Sequence, residues 1–262
     1  MTSLIRGFVS RRFILFTLVQ RELRIRYKDS LLGMVWMLGA PLLMMATYSL
    51  FVMGFVRSAS HDNATIFTQL AGLWLCLGFW QWLSESANRS ATTFHDNAQL
   101  VKRMPIPLGL LPMANVIVSS ISFMVPLLVS ICFLVADGRS AFDIAFSISG
   151  IFVLFPWLLA LTLMASVAGT YVKDVKHALP LVLNIGMLLS PVLYSLDHAP
   201  GFLKSIIQFN PLAPGLTLVR GASESGSYGD VSYLGSFVGG VLFSYASLQL
   251  FNRRKKDFYD VV

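Results

Sequence analysis

The sequence predicts an all-α polytopic membrane protein with six transmembrane helices. An amphipathic interface helix precedes them, and two short outer-leaflet helices lie between spans five and six. Three observations predict this. Hydrophobic types make up 55% of the 262 residues and charged types only 13%, about half the roughly 25% of soluble domains. Six stretches approach the about 20 apolar residues that cross a bilayer, and none contains Asp, Glu, Lys or Arg. Sixteen of the 20 basic residues fall on one side of the resulting alternation. The spans are expected at about 31–55, 65–83, 108–136, 144–172, 179–196 and 231–251, in a single domain over 1–262.

The first element is expected at 9–28. Phe13 to Val19 is apolar for only seven residues and runs into Gln20-Arg21-Glu22-Leu23-Arg24-Ile25-Arg26-Tyr27-Lys28 without a cleavage site, unlike a secretory signal. At helical spacing Phe16, Val19, Leu23 and Tyr27 share one side, and Arg21, Arg24 and Lys28 the other. That pattern suits a helix lying on anionic headgroups.

Span one begins after Asp29-Ser30, which can cap a helix, and Pro41 should kink it. Span two is followed by a polar connection, Glu85 to Pro107, in which residues 86–100 read as a short amphipathic helix. Pro112 and Pro126 in span three, Pro156 in span four and Pro191 in span five read as kinks that neighbouring helices accommodate. Between spans five and six, two apolar pieces of about ten residues flank Asn210-Pro211. Neither is long enough to cross, so they read as two short helices dipping into the outer leaflet around a break.

Orientation follows from the basic residues. The N-terminal segment, the 85–107 loop, the loop after span four and the tail hold 16 of them, leaving Arg57, Arg139, Lys204 and Arg220 opposite. Acidic residues divide seven to six, so the bias is a basic one. Both termini are expected in the cytoplasm. The net charge of +7 is thereby a topological signal rather than one for nucleic acid.

Catalytic chemistry has no foothold. His61, His95, His177 and His198 lie in four different connections, with no metal-ligand spacing and no metal expected. Cys76 and Cys132 sit in apolar runs. There is no phosphate-binding loop or dinucleotide fingerprint, and no ionisable residue at mid-membrane such as ion-driven carriers use. No catalytic residue and no cofactor are expected in this chain. Aromatic residues are plentiful, among them Trp36, Tyr48, Phe51, Trp74, Trp80 and Trp82. Belts and packing account for most such residues, although aromatic faces also carry sugar rings.

Three segments carry a resemblance. The run Arg21-Glu22-Leu23-Arg24-Ile25-Arg26-Tyr27-Lys28-Asp29-Ser30-Leu31-Leu32-Gly33-Met34-Val35-Trp36 looks like a basic interface helix entering a Gly/Trp-marked first span. Tyr171-Val172-Lys173-Asp174-Val175 matches an aromatic turn after span four. Leu189-Ser190-Pro191-Val192-Leu193-Tyr194 accompanies Asn210-Pro211-Leu212. Together they resemble the membrane (permease) subunit of bacterial polysaccharide ABC exporters, the group serving O-antigen, teichoic acid and capsule.

The resemblance implies a homodimer in the bacterial inner membrane, each copy docked on a separate nucleotide-binding subunit that binds ATP and Mg. The substrate would be a polyprenyl-diphosphate-linked polysaccharide. The 86–100 helix would couple to the ATPase through Arg89, Ala91, Phe94, Asp96 and Leu100. Arg21, Glu22, Arg24, Arg26 and Tyr27 of the interface helix would brace that contact. A charge-free, aromatic route between two subunits would include Trp36, Tyr48, Phe51, Tyr194 and Phe209, with the outer helices covering its exit. A permease for a smaller glycolipid or drug is the near alternative, and an ATP-independent carrier or channel the distant one.

Overall fold

A computed structural model describes residues 12–27, 35–56, 66–103, 106–194, 201–221, 230–255 and 257–258. Their regular structure is entirely helical. In chain order the helices are α1 (Arg12–Tyr27), α2 (Val35–Val56), α3 (Ile66–Asp96), α4 (Ala98–Arg103), α5 (Leu110–Ala136), α6 (Ala141–Tyr171), α7 (Val175–Leu188), α8 (Gly201–Gln208), α9 (Ala213–Arg220) and α10 (Asp230–Arg254). The protein is an all-α membrane protein with several apolar spans.

α3 is the centre. Leu70 through Trp80 are buried on every face, as in a helix surrounded by other helices. It packs against α2, α5, α6, α7 and α9. Within its apolar stretch 78% of residues are buried, against 22% in α10, so α10 forms the outer wall and rests on α6. Indole donors tie the helices together. Trp74 Nε1 donates to Ser49 Oγ of α2 at 2.8 Å, Trp82 Nε1 to the Val116 carbonyl of α5 at 2.9 Å, and Trp157 Nε1 to the Ser236 carbonyl of α10 at 3.0 Å. Some buried hydroxyls return to their own helix, as Thr162 does to Leu158 O and Thr170 to Ser166 O, both at 2.7 Å. Such back-bonding satisfies polar groups where no water reaches them.

The turn between α5 and α6 is fixed locally. Arg139 N bonds Leu134 O at 3.1 Å and Gly138 N bonds Val135 O at 3.0 Å, with Gly138 at φ 72°. This is a Schellman ending, whose left-handed position glycine fills without strain. Ser140 then caps α6 in a capping box with Asp143, which supplies two otherwise unpaired N-terminal amides with partners.

Six spans were expected, and among the described residues four helices are long and apolar enough to cross a membrane: α3, α5, α6 and α10 over Ser232–Arg254. The first expected span corresponds to α2, which lacks charge and contains Pro41 but is not one of the four. Its proposed cap, Asp29-Ser30, lies outside the described residues. The fifth expected span is shorter than the sequence suggested. α7 has 14 residues, about 21 Å at 1.5 Å per residue, against a hydrocarbon core of about 30 Å. It ends at Leu188, and the chain turns over Leu189 to Tyr194. Pro191 lies in that turn, so it marks an end rather than a kink.

The 86–100 segment also differs from expectation. α3 continues unbroken to Asp96 for 31 residues, Asn97 turns, and α4 follows. Hydropathy ended span two at Leu83 because Ser86, Ser90 and Thr93 are polar. All three are buried, and Asn115 Nδ2 of α5 donates to Ser90 Oγ and Thr93 Oγ1 at 3.2 Å each. Polar residues paired inside the bundle prolong a helix that hydropathy reads as finished.

Candidate functional site: an inner polar seat and an outer hairpin

At one end of the bundle α1 lies across α5. Leu18 and Val19 are buried in a cluster with Phe94, Val101, Leu110, Leu111 and other apolar residues. Phe13 and Phe16 remain exposed on another face, so α1 has two apolar sides where the sequence reading gave it one. The basic residues divide accordingly. Arg21 donates to Asn97 Oδ1, and Asn97 Nδ2 donates to Thr93 O at 2.8 Å. Arg26 pairs with Glu85, which also accepts from Arg89 Nε at 3.2 Å. Glu85 therefore sits between two guanidiniums, one from α1 and one from its own helix. Partly buried ion pairs of this kind lose hydration, so removing one partner costs more than the pair gains. Glu22 is half-buried and Arg24 exposed. The Tyr27 side chain lies outside the described residues.

The expected coupling residues do not share one surface. Ala91 and Phe94 are buried at 3% and 1% exposure. Arg89 and Leu100 are half-buried, and Asp96 is exposed. The outward residues at this corner are Asp96, Gln99, Lys102 and Arg103. Phe94 instead meets Phe251 of α10 at 6.1 Å and Phe258 of the tail at 4.8 Å between ring centroids. Phe258 is fully buried and also meets Phe251 at 5.6 Å and Tyr171 at 6.0 Å. Tyr171 donates to Asp257 Oδ2 at 3.1 Å, and the Arg254 guanidinium lies 5.6 Å from its ring centroid. At this end of the bundle α3, α6 and α10 thus close around one tail residue. The sequence reading missed Phe258, whose only signal was an aromatic following a basic run.

At the other end, Thr68 of α3 bonds Asp137 in the α5–α6 turn, and Arg139 Nε pairs with the same carboxylate at 3.1 Å. Two short helices flank Asn210-Pro211 as expected, but they differ in setting. α9 is buried from Gly215 through Arg220 and packs on α6, α3 and α10. α8 buries only Ile207, while Phe209 beyond it is 89% exposed. Arg220 was counted in the sequence merely as an outside cation. It is 7% exposed, and its Nη2 donates to Val192 O at 2.7 Å.

The expected route residues are not gathered into one lining. Trp36 is 46% exposed on α2, and Tyr48 is half-buried against the main core. Tyr194 packs with Ile207 and Ala213 and donates to Leu188 O at 2.7 Å. The Phe51 side chain lies outside the described residues. Among the described residues no group of three His, Cys, Asp or Glu could hold a metal ion. Cys76 is buried and Cys132 exposed.

A family model for the ABC-2 type transporter matches residues 14–223, from α1 to just beyond α9. Two Klebsiella pneumoniae proteins, each named O-antigen export system permease protein RfbA, are 26% identical over 260 residues and 28% over 255, covering 95% of each chain. A Myxococcus xanthus protein of the same name is 24% identical over 268 residues and covers both chains fully. With four membrane-length helices among the described residues and a family match over most of its length, this chain is a multi-pass membrane protein that belongs to the ABC-2 type transporter family.

Proposed function

We propose that the chain is the membrane subunit of an ATP-driven exporter that moves a polyprenyl-diphosphate-linked, O-antigen-like polysaccharide across the bacterial inner membrane. The observation that carries this is similarity along 95% or more of both chains to proteins named O-antigen export permeases. Two copies form the pathway, and each docks one ATPase subunit that supplies ATP and Mg binding. Exposed apolar residues on α2 and α7, including Val35, Leu43, Leu181, Val182 and Ile185, supply surface for lipid and for the second copy. α2 and α7 complete six spans, with α7 extended by the turn and outer hairpin beside it. Both termini face the cytoplasm, because the inner seat collects the basic residues.

The ATPase docks on the corner formed by Asp96, α4 and its flank, with Gln99, Lys102 and Arg103 outward. α1 braces this corner through Arg21–Asn97 and Arg26–Glu85. The outer hairpin covers the exit of the glycan, and Trp36 and Phe209 offer it exposed aromatic surface. The weak, repeated contacts of such surface suit a polymer in motion, since no deep minimum halts it.

Reconstitution tests the proposal. Proteoliposomes holding this chain and its ATPase should move a polyprenyl-diphosphate glycan only with hydrolysable ATP. Transport of a lipid-linked monosaccharide or a hydrophobic drug, but not the polymer, would favour the smaller-substrate permease. Transport without ATP would overturn the exporter.

A further inference from the structure

The two outer helices are unequal, and the inequality lies in how each is held. α9 sits backbone-close on α6. A Cβ at Gly150 would meet Val219 N at 2.6 Å and Gly215 O at 2.9 Å, and one at Gly215 would meet the Leu154 side chain at 2.6 Å. Cys76 Sγ of α3 lies 3.5 Å from Leu216 O, and Ser236 Oγ of α10 donates to Pro211 O at 2.6 Å. α9 is therefore locked to three long helices. α8 touches the rest through a small cluster of Ile207, Ala213, Leu203 and Tyr194, and Phe202, Ile206 and Phe209 are exposed.

Two side chains fasten the joint. Asn210 Nδ2 donates to Ser190 Oγ at 2.8 Å, while its Oδ1 accepts from Leu212 N at 2.9 Å. Arg220, at the far end of α9, holds Val192 O at 2.7 Å. The turn after α7 is thus pinned to both ends of α9, by Asn210 ahead of it and Arg220 behind. The Asn210–Ser190 bond joins the two segments, 189–194 and 210–212, that together carry one part of the resemblance.

We propose that α8 alone is a flap, hinged at Asn210-Pro211, and that α9 and the 189–194 turn form its fixed seat. Asn210 and Arg220 are positioning residues that hold the seat together. Segments with few buried contacts open at low free energy, whereas well-packed ones open only with the core. Pro211 sets a fixed φ and donates no amide bond across the joint. The functional consequence rests on the exporter reading above: the polymer leaves by displacing α8, while α9 remains against α6.

Two measurements test this. In the purified chain, amide hydrogen exchange should be at least tenfold faster over 202–208 than over 214–220. Asn210→Ala should raise the α8 rate at least threefold without exposing α9. Equal protection of the two helices would overturn the flap whatever the protein exports. In cells carrying the complete exporter with Cys76→Ala and Cys132→Ser, an Ile207→Cys/Ala213→Cys disulfide should cut surface glycan at least tenfold, reversibly with dithiothreitol. A Leu154→Cys/Gly215→Cys disulfide, joining α9 to α6, should leave export within twofold. Full crosslinking of the first pair without loss of export would overturn the assignment of motion to α8. Loss of export on crosslinking the second pair would overturn the fixed seat. A failure of exchange and a failure of export thus point to different errors.

Discussion

Gly169 of α6 lies so close to Ala91 of α3 that a Cβ at position 169 would fall on the Ala91 carbonyl group. The obstructing atoms are backbone, so no rotamer change relieves them. Close backbone approach through small residues is the usual means of packing helices in a membrane, where lipid is as apolar as the side chains. This contact sits one turn from Phe94, and it sets where the corner formed by Asp96 and α4 stands.

Gly169→Val should therefore destabilise the protein by roughly 3 kcal/mol, toward the upper range of overpacking. Ala91→Gly, which adds no atoms, should cost only about 1 kcal/mol in helix propensity. The melting temperature of the purified chain checks both.

Docking on the outward corner predicts that K102E/R103E weakens ATPase binding while leaving the fold intact. Exposed ion pairs are each worth under about 1 kcal/mol, so the double reversal should lower affinity about tenfold. Co-purification and titration with the ATPase measure it. An unchanged affinity would remove this corner from the interface. Ala91→Pro is a poor probe of docking, because position 91 is buried in the bundle.

The aromatic closure predicts that Phe258→Ala loses about 3 kcal/mol of local stability. Faster amide exchange over the last turn of α10 and at Phe94 should report it, and Phe258→Leu should lose less. Tyr171→Phe removes only the bond to Asp257, so it should change exchange by less than Phe258→Ala does.

The route predicts where a trapped glycan touches the chain. Photoreactive residues at 36 and 209 should crosslink to glycan in an ATPase-inactive complex. Position 48, half-buried against the core, should crosslink to protein. Tyr194→Phe should cost about 1 kcal/mol through the lost bond to Leu188 O, without abolishing assembly. Glycan crosslinks at none of these positions would remove the aromatic route.

Orientation predicts labelling from opposite sides in a background lacking both native cysteines. Gln99→Cys and Lys255→Cys should react only from the cytoplasm, and Ser140→Cys only from outside. Labelling of position 99 in sealed cells would invert the topology.

The sequence by itself determined the class of protein, the positions of α3, α5, α6 and α10, and the pair of short helices around Asn210-Pro211. Each is written in local terms: apolar length, the distribution of Lys and Arg, and backbone breakers. The helicity of α1 was legible for the same reason, since Phe16, Val19, Leu23 and Tyr27 recur at helical spacing. The end of α3 was not legible. Ser90 and Thr93 look like a helix leaving the membrane until Asn115, 25 and 22 positions away, supplies their partner. Phe94 looked like an outward docking residue until Phe258, from the far end of the chain, was found against it. Arg220 looked like one more outside cation, although it is buried and holds Val192. Hydropathy records what a residue costs in an apolar medium. It cannot record whether a distant residue meets that cost, and only the tertiary structure decided which polar and aromatic groups face a partner within the chain and which are left for another molecule.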